Sequence, residues 1–299
     1  KNPMQIQRLK DKMGNVANAS CETELRGALA WMIGEEGRGI RTIIEMVSLT
    51  RYDCMIGSSA TMRMAVSQAM NHCHYRSAFG AKLIDQPLMQ NVLADLVLEQ
   101  EAALSQTFRM AKAMDSQDNE QERLLMRLGT AVGKYWICKR TPNHTYEAME
   151  CLGGSGVMED SIMPRLFRES PVNSIWEGSG NVQCLDVLRA IKKTPAVIDV
   201  FFDEISQAKG GHRSFDHFMG ALQKDLNNLD DLEYRARNIV DRLALAIQAS
   251  LLIRNGNSLI SDAFCTSRLE YNGALNYGTL PQGVNCKKII ERARPKLAV

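Results

Sequence analysis

The stretch Ser174-Ile175-Trp176-Glu177-Gly178-Ser179-Gly180-Asn181 sets one carboxylate between an aromatic ring and a glycine turn. Burial beside an indole penalises the charged form of a carboxylate, so where water is excluded such a group accepts a proton more readily, as a general base must. The small polar residues that follow could cap a helix running from about Val182 to Lys192. Read alone, the segment is more simply a surface turn, since Glu is mostly exposed in folded chains.

Other segments change that balance. Tyr75-Arg76-Ser77-Ala78-Phe79-Gly80 is followed by Gln86, then Glu150-Cys151-Leu152-Gly153-Gly154-Ser155-Gly156, then Pro164-Arg165-Leu166-Phe167-Arg168-Glu169. Each is weak by itself, and a Gly-Gly-Ser-Gly is more often a plain turn. In this order and at these spacings they resemble the C-terminal signature of the acyl-CoA dehydrogenase family. That signature runs Arg-x-x-Phe-Gly, Gly-Gly-x-Gly, Arg-Leu-Phe-Arg, then an aromatic residue before Glu-Gly-Thr/Ser. The resemblance covers roughly residues 1–190. Gly34-Glu35-Glu36-Gly37-Arg38-Gly39 looks like the family's junction between its middle β-domain and its C-terminal helical domain. The expectation is therefore a fragment, with the family's N-terminal helical domain and most of the β-domain lying before Lys1.

The resemblance implies FAD as cofactor and an acyl-CoA as substrate, of short or branched chain. Glu177 would remove the α-proton of the thioester while the β-carbon gives hydride to the flavin. Ile175, Trp176, Gly178, Ser179 and Asn181 match flavin-side positions. Arg76 matches the arginine on the pyrophosphate, a natural use of a guanidinium. Phe79 and Gln86 match the adenine side, usually across a subunit boundary, and Gly153, Gly154 and Gly156 match the turn where backbone approaches the dinucleotide. A homotetramer, a dimer of dimers, follows from the same likeness. Glu150 departs from the common Gln and would repel a pyrophosphate unless protonated or turned away, and Ser77-Ala78 replaces bulkier polar residues.

The wording Asn173 to Asn181, with Cys184-Leu185-Asp186-Val187-Leu188-Arg189, is closest to the AidB-type branch, the alkylation-response flavoproteins. That branch carries a C-terminal extension, which residues 191–299 would supply; in the AidB type it binds double-stranded DNA and the dehydrogenase activity is weak, so the resemblance implies both as expectations. From Ile191 onward the chain has 15 Lys/Arg against 12 Asp/Glu. Lys287, Lys288, Arg292, Arg294 and Lys296 form its basic patch, with Lys288 and Arg292 on one helix face at four-residue spacing. Phosphate contact and a solvated tail are both open readings of it. A third class of function, an acyl-CoA or fatty-acid binding or scaffolding protein without turnover, fits the same likeness less well, since a pure binder needs no base.

The elements that must position these residues are mostly helical. With 6% aromatic residues and 16 Met, the composition suits helix packing, and 45% apolar residues suffice for a substantial core. The expected fold is mainly α: a remnant of the middle β-domain over 1–38, a four-helix bundle over 39–190, and a helical extension over 191–299. The bundle helices are expected at roughly 39–49, 51–77, 87–115 and 119–150 from apolar residues three and four apart. Pro87 fits a first helical turn, residues 115–119 a polar turn, and Pro195 a helix start. No apolar run is long enough to span a membrane. Eight scattered Cys without a Cys-x-x-Cys suggest a reducing compartment, the cytoplasm. A net charge of +2 gives no global case for nucleic acid. His72-Cys73-His74 is not expected to hold a metal, because helical residues two apart point about 200° from each other.

Overall fold

A computed structural model of the chain describes residues 1–228, 230–270, 280 and 283–295. The chain opens with exposed antiparallel strands β1 (Gln5–Leu9) and β2 (Cys21–Glu24), irregular in register between Ile6 and Arg8. Their connection is tied to a helix much later in the chain. The Asn15 amide donates to Glu169 Oε2 at 2.6 Å, and a Cβ at Gly14 would lie 2.2 Å from the Arg168 carbonyl oxygen.

Helix α1 (Gly39–Tyr75) is continuous over 37 residues, so the two helices expected at 39–49 and 51–77 are one. Nothing breaks it at Thr50, whose hydroxyl donates to the Val47 carbonyl at 3.1 Å. It stops at Tyr75 because Arg76 turns to extended backbone. Burial starts only at Tyr52 and continues through Met55, Met62, Val66 and Met70, the spacing of one helix face. The short strands β3 (Ser77–Ala78) and β4 (Ala81–Lys82) form a hairpin whose tip, Phe79 and Gly80, is left-handed.

Helix α2 (Pro87–Asp115) has proline in its first turn, where the missing N–H is not needed. Helix α3 (Glu120–Glu150) is capped by Asn119, whose Oδ1 accepts from the Gln121 amide at 2.8 Å. The Cys138 thiol donates to the Cys54 carbonyl and the Cys73 thiol to the Cys151 carbonyl, so α1 and α3 run in the same direction. Arg109 of α2 meets Glu122 at the start of α3 while the Leu96 carbonyl meets His144 near its end, so α2 runs antiparallel to both, and the Tyr52 hydroxyl of α1 donates to the Thr107 carbonyl of α2. After α4 (Met163–Glu169) and α5 (Val172–Ile175), helix α6 (Gly180–Lys193) returns along α3. It is the fourth helix of the bundle.

The remaining described residues form α7 (Ala196–Ser206), α8 (Arg213–Asn227), α9 (Ala236–Asn255), α10 (Ser258–Cys265) with a π-helical turn over Thr266–Glu270, and α11 (Cys286–Ala293). Pro195 precedes α7, as the sequence suggests. Phe201, Phe215, Ile247, Phe264 and Ile290 from this part belong to one core with Met62, Leu96 and Val132 of the bundle. Among the described residues no helix is long and apolar enough to cross a membrane. All eight cysteines are free.

Two buried ionic groups join this part to the bundle. Arg109 of α2 is bidentate to Glu122 of α3, at 2.8 and 3.0 Å, and to Glu204 of α7, at 2.9 Å on each arm. Arg254 of α9 adds a third contact to Glu204 at 2.8 Å. At the other end Arg268 pairs with Asp95, and Arg140 lies 3.2 Å from Glu99. Burial alone would raise the Glu99 and Glu204 carboxyls, but the neighbouring guanidiniums outweigh it and hold both below the usual 4.5. A depressed carboxylate stabilises fully above its unfolded-state value, and that contribution is lost as pH falls through the folded-state value. The urea midpoint is therefore expected to fall as pH drops below about 4.5. At pH 7 Glu204→Gln, which leaves two guanidiniums short of a buried partner, is expected to cost about 3 kcal/mol by urea unfolding.

Candidate active site

Between the end of α5 and the start of α6 lie four residues, Trp176 to Ser179. Glu177 has φ +58° and Gly178 φ +104°. A left-handed non-glycine residue costs about 1–3 kcal/mol and persists only when its surroundings over-determine it. Here three side chains do so by taking three consecutive carbonyls. Lys134 Nζ donates to the Trp176 and Gly178 carbonyls, each at 2.6 Å. Arg51 Nε donates to the Glu177 carbonyl at 2.9 Å, and Gln183 Nε2 to the Glu177 and Gly178 carbonyls at 3.1 Å. Gly178 is required by space as well, because a Cβ there would lie 2.8 Å from Gln183 Nε2.

With its backbone fixed from within, Glu177 carries a half-exposed side chain. The exclusion of water that a general base needs is not supplied by this chain alone. Trp176 is anchored through Asn173, whose Oδ1 accepts from the indole at 3.2 Å and whose amide donates to Ser58 of α1 at 3.2 Å. Helix α6 begins at Gly180, two residues before the expected start, and Ser179 at its N-cap position makes no side-chain capping bond. That hydroxyl is exposed, as is Ile175. The Asn181 side chain accepts from Arg237 of α9 at 2.8 Å, so the flavin-side segment touches residues beyond 191. Asp186 of α6 accepts from Arg51 at 3.0 Å and from both arms of Arg127, at 3.0 and 2.8 Å.

The other nominated residues gather at the far end of α1. Arg76, Gly153 and Gly154 line an open cleft of 720 Å³ with His72, Leu83 and Glu150. Arg76 has no ion-pair partner among the described residues, and Gln86 braces the hairpin by donating to the Ala78 carbonyl at 2.8 Å. Phe79 stands at the hairpin tip, 96% exposed with φ +55°. The glycines of the turn differ in purpose. Gly153 is left-handed at φ +58°, a Cβ at Gly154 would meet nothing, and a Cβ at Gly156 would lie 2.1 Å from the Met149 carbonyl oxygen. Bare backbone at Gly154 thus faces the cleft that Arg76 lines. Arg51 and Arg76 are 25 residues apart on α1 and its cap, or roughly 37 Å at 1.5 Å per residue. The two halves of the nominated site are therefore not brought together within one chain.

In the basic patch, Lys287, Lys288 and Arg292 are exposed and Arg294 is half-buried. Lys288 and Arg292 do lie on the outer face of α11, opposite Ile289, Ile290 and Ala293. Arg292, however, pairs with Glu101 of α2. Lys287 and Arg294 line a pocket of 150 Å³ with His74, Asp85, Gln90 and Glu291. Lys296 lies outside the described residues.

The sequence reading overlooked Lys134, Arg51, Gln183 and Asp186. A signal existed for the first: Lys134 interrupts the run Thr130-Ala131-Val132-Gly133 and Tyr135-Trp136-Ile137-Cys138, where a surface lysine would be out of place. The others are polar residues with no local pattern.

The helical bundle and its two end sites define a class before any particular protein. Residues 37–192 match the model of the acyl-CoA dehydrogenase C-terminal domain. The chain belongs to the acyl-CoA dehydrogenase family. It is 43% identical over 275 residues to AidB of Escherichia coli (strain K12), named as an acyl-CoA dehydrogenase, covering 92% of this chain and 50% of that protein. Among solved structures, Caenorhabditis elegans ACDH-11 in complex with C11-CoA superposes with a TM-score of 0.84 at 28% identity, over 90% of this chain and 51% of that one. An acyl-CoA dehydrogenase of Bacillus anthracis complexed with FAD shares the fold, with a TM-score of 0.70 at 19% identity, over 97% of this chain and 55% of that one. The chain spans about half the length of the curated relatives it matches.

The glycine turn gives a direct test. Gly156→Ala, which drives a Cβ into backbone, is expected to lower stability by more than about 2 kcal/mol in thermal or urea unfolding. Gly154→Ala is expected to stay within about 0.5 kcal/mol of the parent.

Proposed function

We propose that this chain is the catalytic portion of an FAD-dependent acyl-CoA dehydrogenase of the AidB type, with Glu177 as the base. The observation that carries the reading is the turn at 176–178, where a strained backbone is held by Lys134, Arg51 and Gln183 around one half-exposed carboxylate. Structure that fixes a costly backbone at a single acid is expected at a reacting centre.

The residues fit the cofactor. Arg76, without an ion-pair partner among the described residues, and the open face of Gly154 would hold the pyrophosphate in the cleft at the end of α1. Ser179, with its hydroxyl uncommitted to a cap, and the backbone of 176–178 would meet the flavin. Bound FAD supplies the acceptor for the hydride leaving the substrate β-carbon. Glu177 takes the α-proton, and the C–H bonds at the α- and β-carbons give way to a double bond between them. The acyl chain and a neighbouring subunit exclude water from the carboxylate, which raises the reach of its charge.

Because the two cofactor-holding ends of one chain are roughly 37 Å apart, we assign each FAD to two copies, the loop of one and the Arg76 cleft of the other. The fully exposed Phe79 then projects into the neighbouring copy. A homotetramer built as a dimer of dimers satisfies this pairing. The free, mostly buried thiols agree with a cytoplasmic protein.

A second activity, duplex-DNA binding through 191–299, rests on the exposed Lys287 and Lys288 of α11. Engagement of Arg292 by Glu101 narrows the patch. Repetition over four copies compensates through avidity.

In the full-length FAD-loaded protein, Glu177→Gln is expected to keep its flavin and lose flavin reduction by acyl-CoA by at least about 1,000-fold in stopped-flow absorbance. Reduction at the parental rate would reject Glu177 as base. Duplex-DNA affinity is expected to fall as salt rises from 50 to 200 mM and to fall again in the Lys287→Ala, Lys288→Ala double variant. Indifference to both would remove α11 from any DNA contact.

A further inference from the structure

Lys134 is the least expected residue of the molecule. It sits in the middle of α3, 1% exposed, and is among the largest fully buried side chains. Burying an ammonium is costly, and an apolar residue of similar length would avoid that cost. Among the described residues no carboxylate forms an ion pair with it. Its neighbours are the Cys54 and Cys138 thiols, each kept protonated by burial, which pushes Cys138 to about 12. Its hydrogen bonds go to the carbonyls one residue before and one residue after Glu177.

Two carbonyls two residues apart converge on one nitrogen only if the intervening residue turns back on itself. That is the left-handed Glu177, followed by the left-handed Gly178. A neutral side chain could not replace the contact. An amide would offer two donors in a fixed plane and a competing acceptor, while an ammonium offers three donors and none. Charge-assisted bonds are also about twice as strong as neutral ones, which is the scale needed to offset the strain at Glu177.

We propose that Lys134 is a positioning residue for the proton-transfer step: by closing the Trp176 and Gly178 carbonyls around its ammonium, it fixes the direction of the Glu177 side chain. It touches neither the reacting atoms nor the carboxylate, and it acts through the backbone of the loop. This inference rests on Glu177 being the base. Burial lowers Lys134 from the ordinary lysine value, opposed by Cys138, Cys54 and Glu177 and reinforced by Arg51. The two carbonyls favour the protonated form that the turn needs.

The experiment compares wild type, Lys134→Met and Glu177→Gln in the full-length FAD-loaded protein. Three readouts are taken: flavin content, steady-state kinetics with a straight-chain acyl-CoA and an artificial electron acceptor, and hydrogen–deuterium exchange of the peptide spanning 176–183. Methionine keeps the length of the stem and removes the donors. The expected result is about a 100-fold loss of kcat, the scale of an ångström misplacement, with KM within threefold, flavin content unchanged, and exchange in 176–183 at least tenfold faster. Exchange elsewhere in α3 stays at the wild-type level. Unchanged exchange in the loop, or a kcat within threefold of wild type while Glu177→Gln is inactive, would overturn the proposal. If Glu177→Gln is itself active, the base assignment fails, and the exchange readout alone decides whether Lys134 orders the loop. If Lys134→Met does not fold, Lys134→Gln replaces it, with about a tenfold loss of kcat expected because its planar amide can reach only one of the two carbonyls. Failure of both to fold would make Lys134 a determinant of the bundle and overturn the positioning role.

Discussion

The length of α1 is the constraint on which the rest of the molecule depends. One uninterrupted helix of 37 residues carries Arg51 about a third of the way along and delivers Arg76 just past its end, and the rigidity of an α-helix fixes their separation. The Trp176–Ser179 turn is docked at the first and the glycine turn at the second. The cysteine contacts along α1 and α3 keep the two helices in the same direction, so both turns inherit the same ruler. On the proposed reading, a dinucleotide that needs both ends would not be closed by one chain, and sharing between copies would follow from the length of this helix.

The same helix bundle decides what lies next to Glu177. Tight approach of α1 and α3 depends on Gly133, where a Cβ would lie 2.3 Å from Met55 Cε. One residue later Lys134 emerges into the space beneath the loop. Charge enters this core only where it ties separate segments together: Arg109 joins α2, α3 and α7, Asp186 joins α1, α3 and α6, and Arg268 fastens the π-helical turn to α2. The residues beyond 191 are fastened to the bundle by the Arg109–Glu204 and Arg268–Asp95 pairs and share its apolar core. Through Arg237 and Asn181 they also touch the start of α6 beside the Glu177 turn.

Much of this was legible in the sequence because it was local. The three-and-four spacing of apolar residues located the long helices, Pro87 and the polar turn at 115–119 marked two of their starts, and the ordered motifs pointed to the family. The break expected at residue 50 was not there, since a single threonine bonded to its own helix does not end one. The helix expected from about Val182 starts at Gly180, and no side chain caps it. The separation of the two half-sites could not be read from motif order, since it depends on α1 being one helix rather than two. Lys134 was missed because its partners are carbonyls 42 and 44 residues away, which leave no trace in side-chain type, and Arg292 was counted as a free cation because its partner Glu101 is 191 residues distant.

The sharing of each site between copies is tested most directly by subunit mixing. Full-length Glu177→Gln, broken at the loop, and full-length Gly154→Val, broken at the cleft, are each expected to be inactive as uniform assemblies. Dissociated, mixed in equal amounts and reassembled with FAD, they are expected to recover about a quarter of wild-type acyl-CoA oxidation. Random pairing makes half of the dimers mixed, and each mixed dimer has one intact site of two. No recovery in mixed assemblies confirmed by mass spectrometry would place both halves of the site in one chain and contradict the geometry of α1.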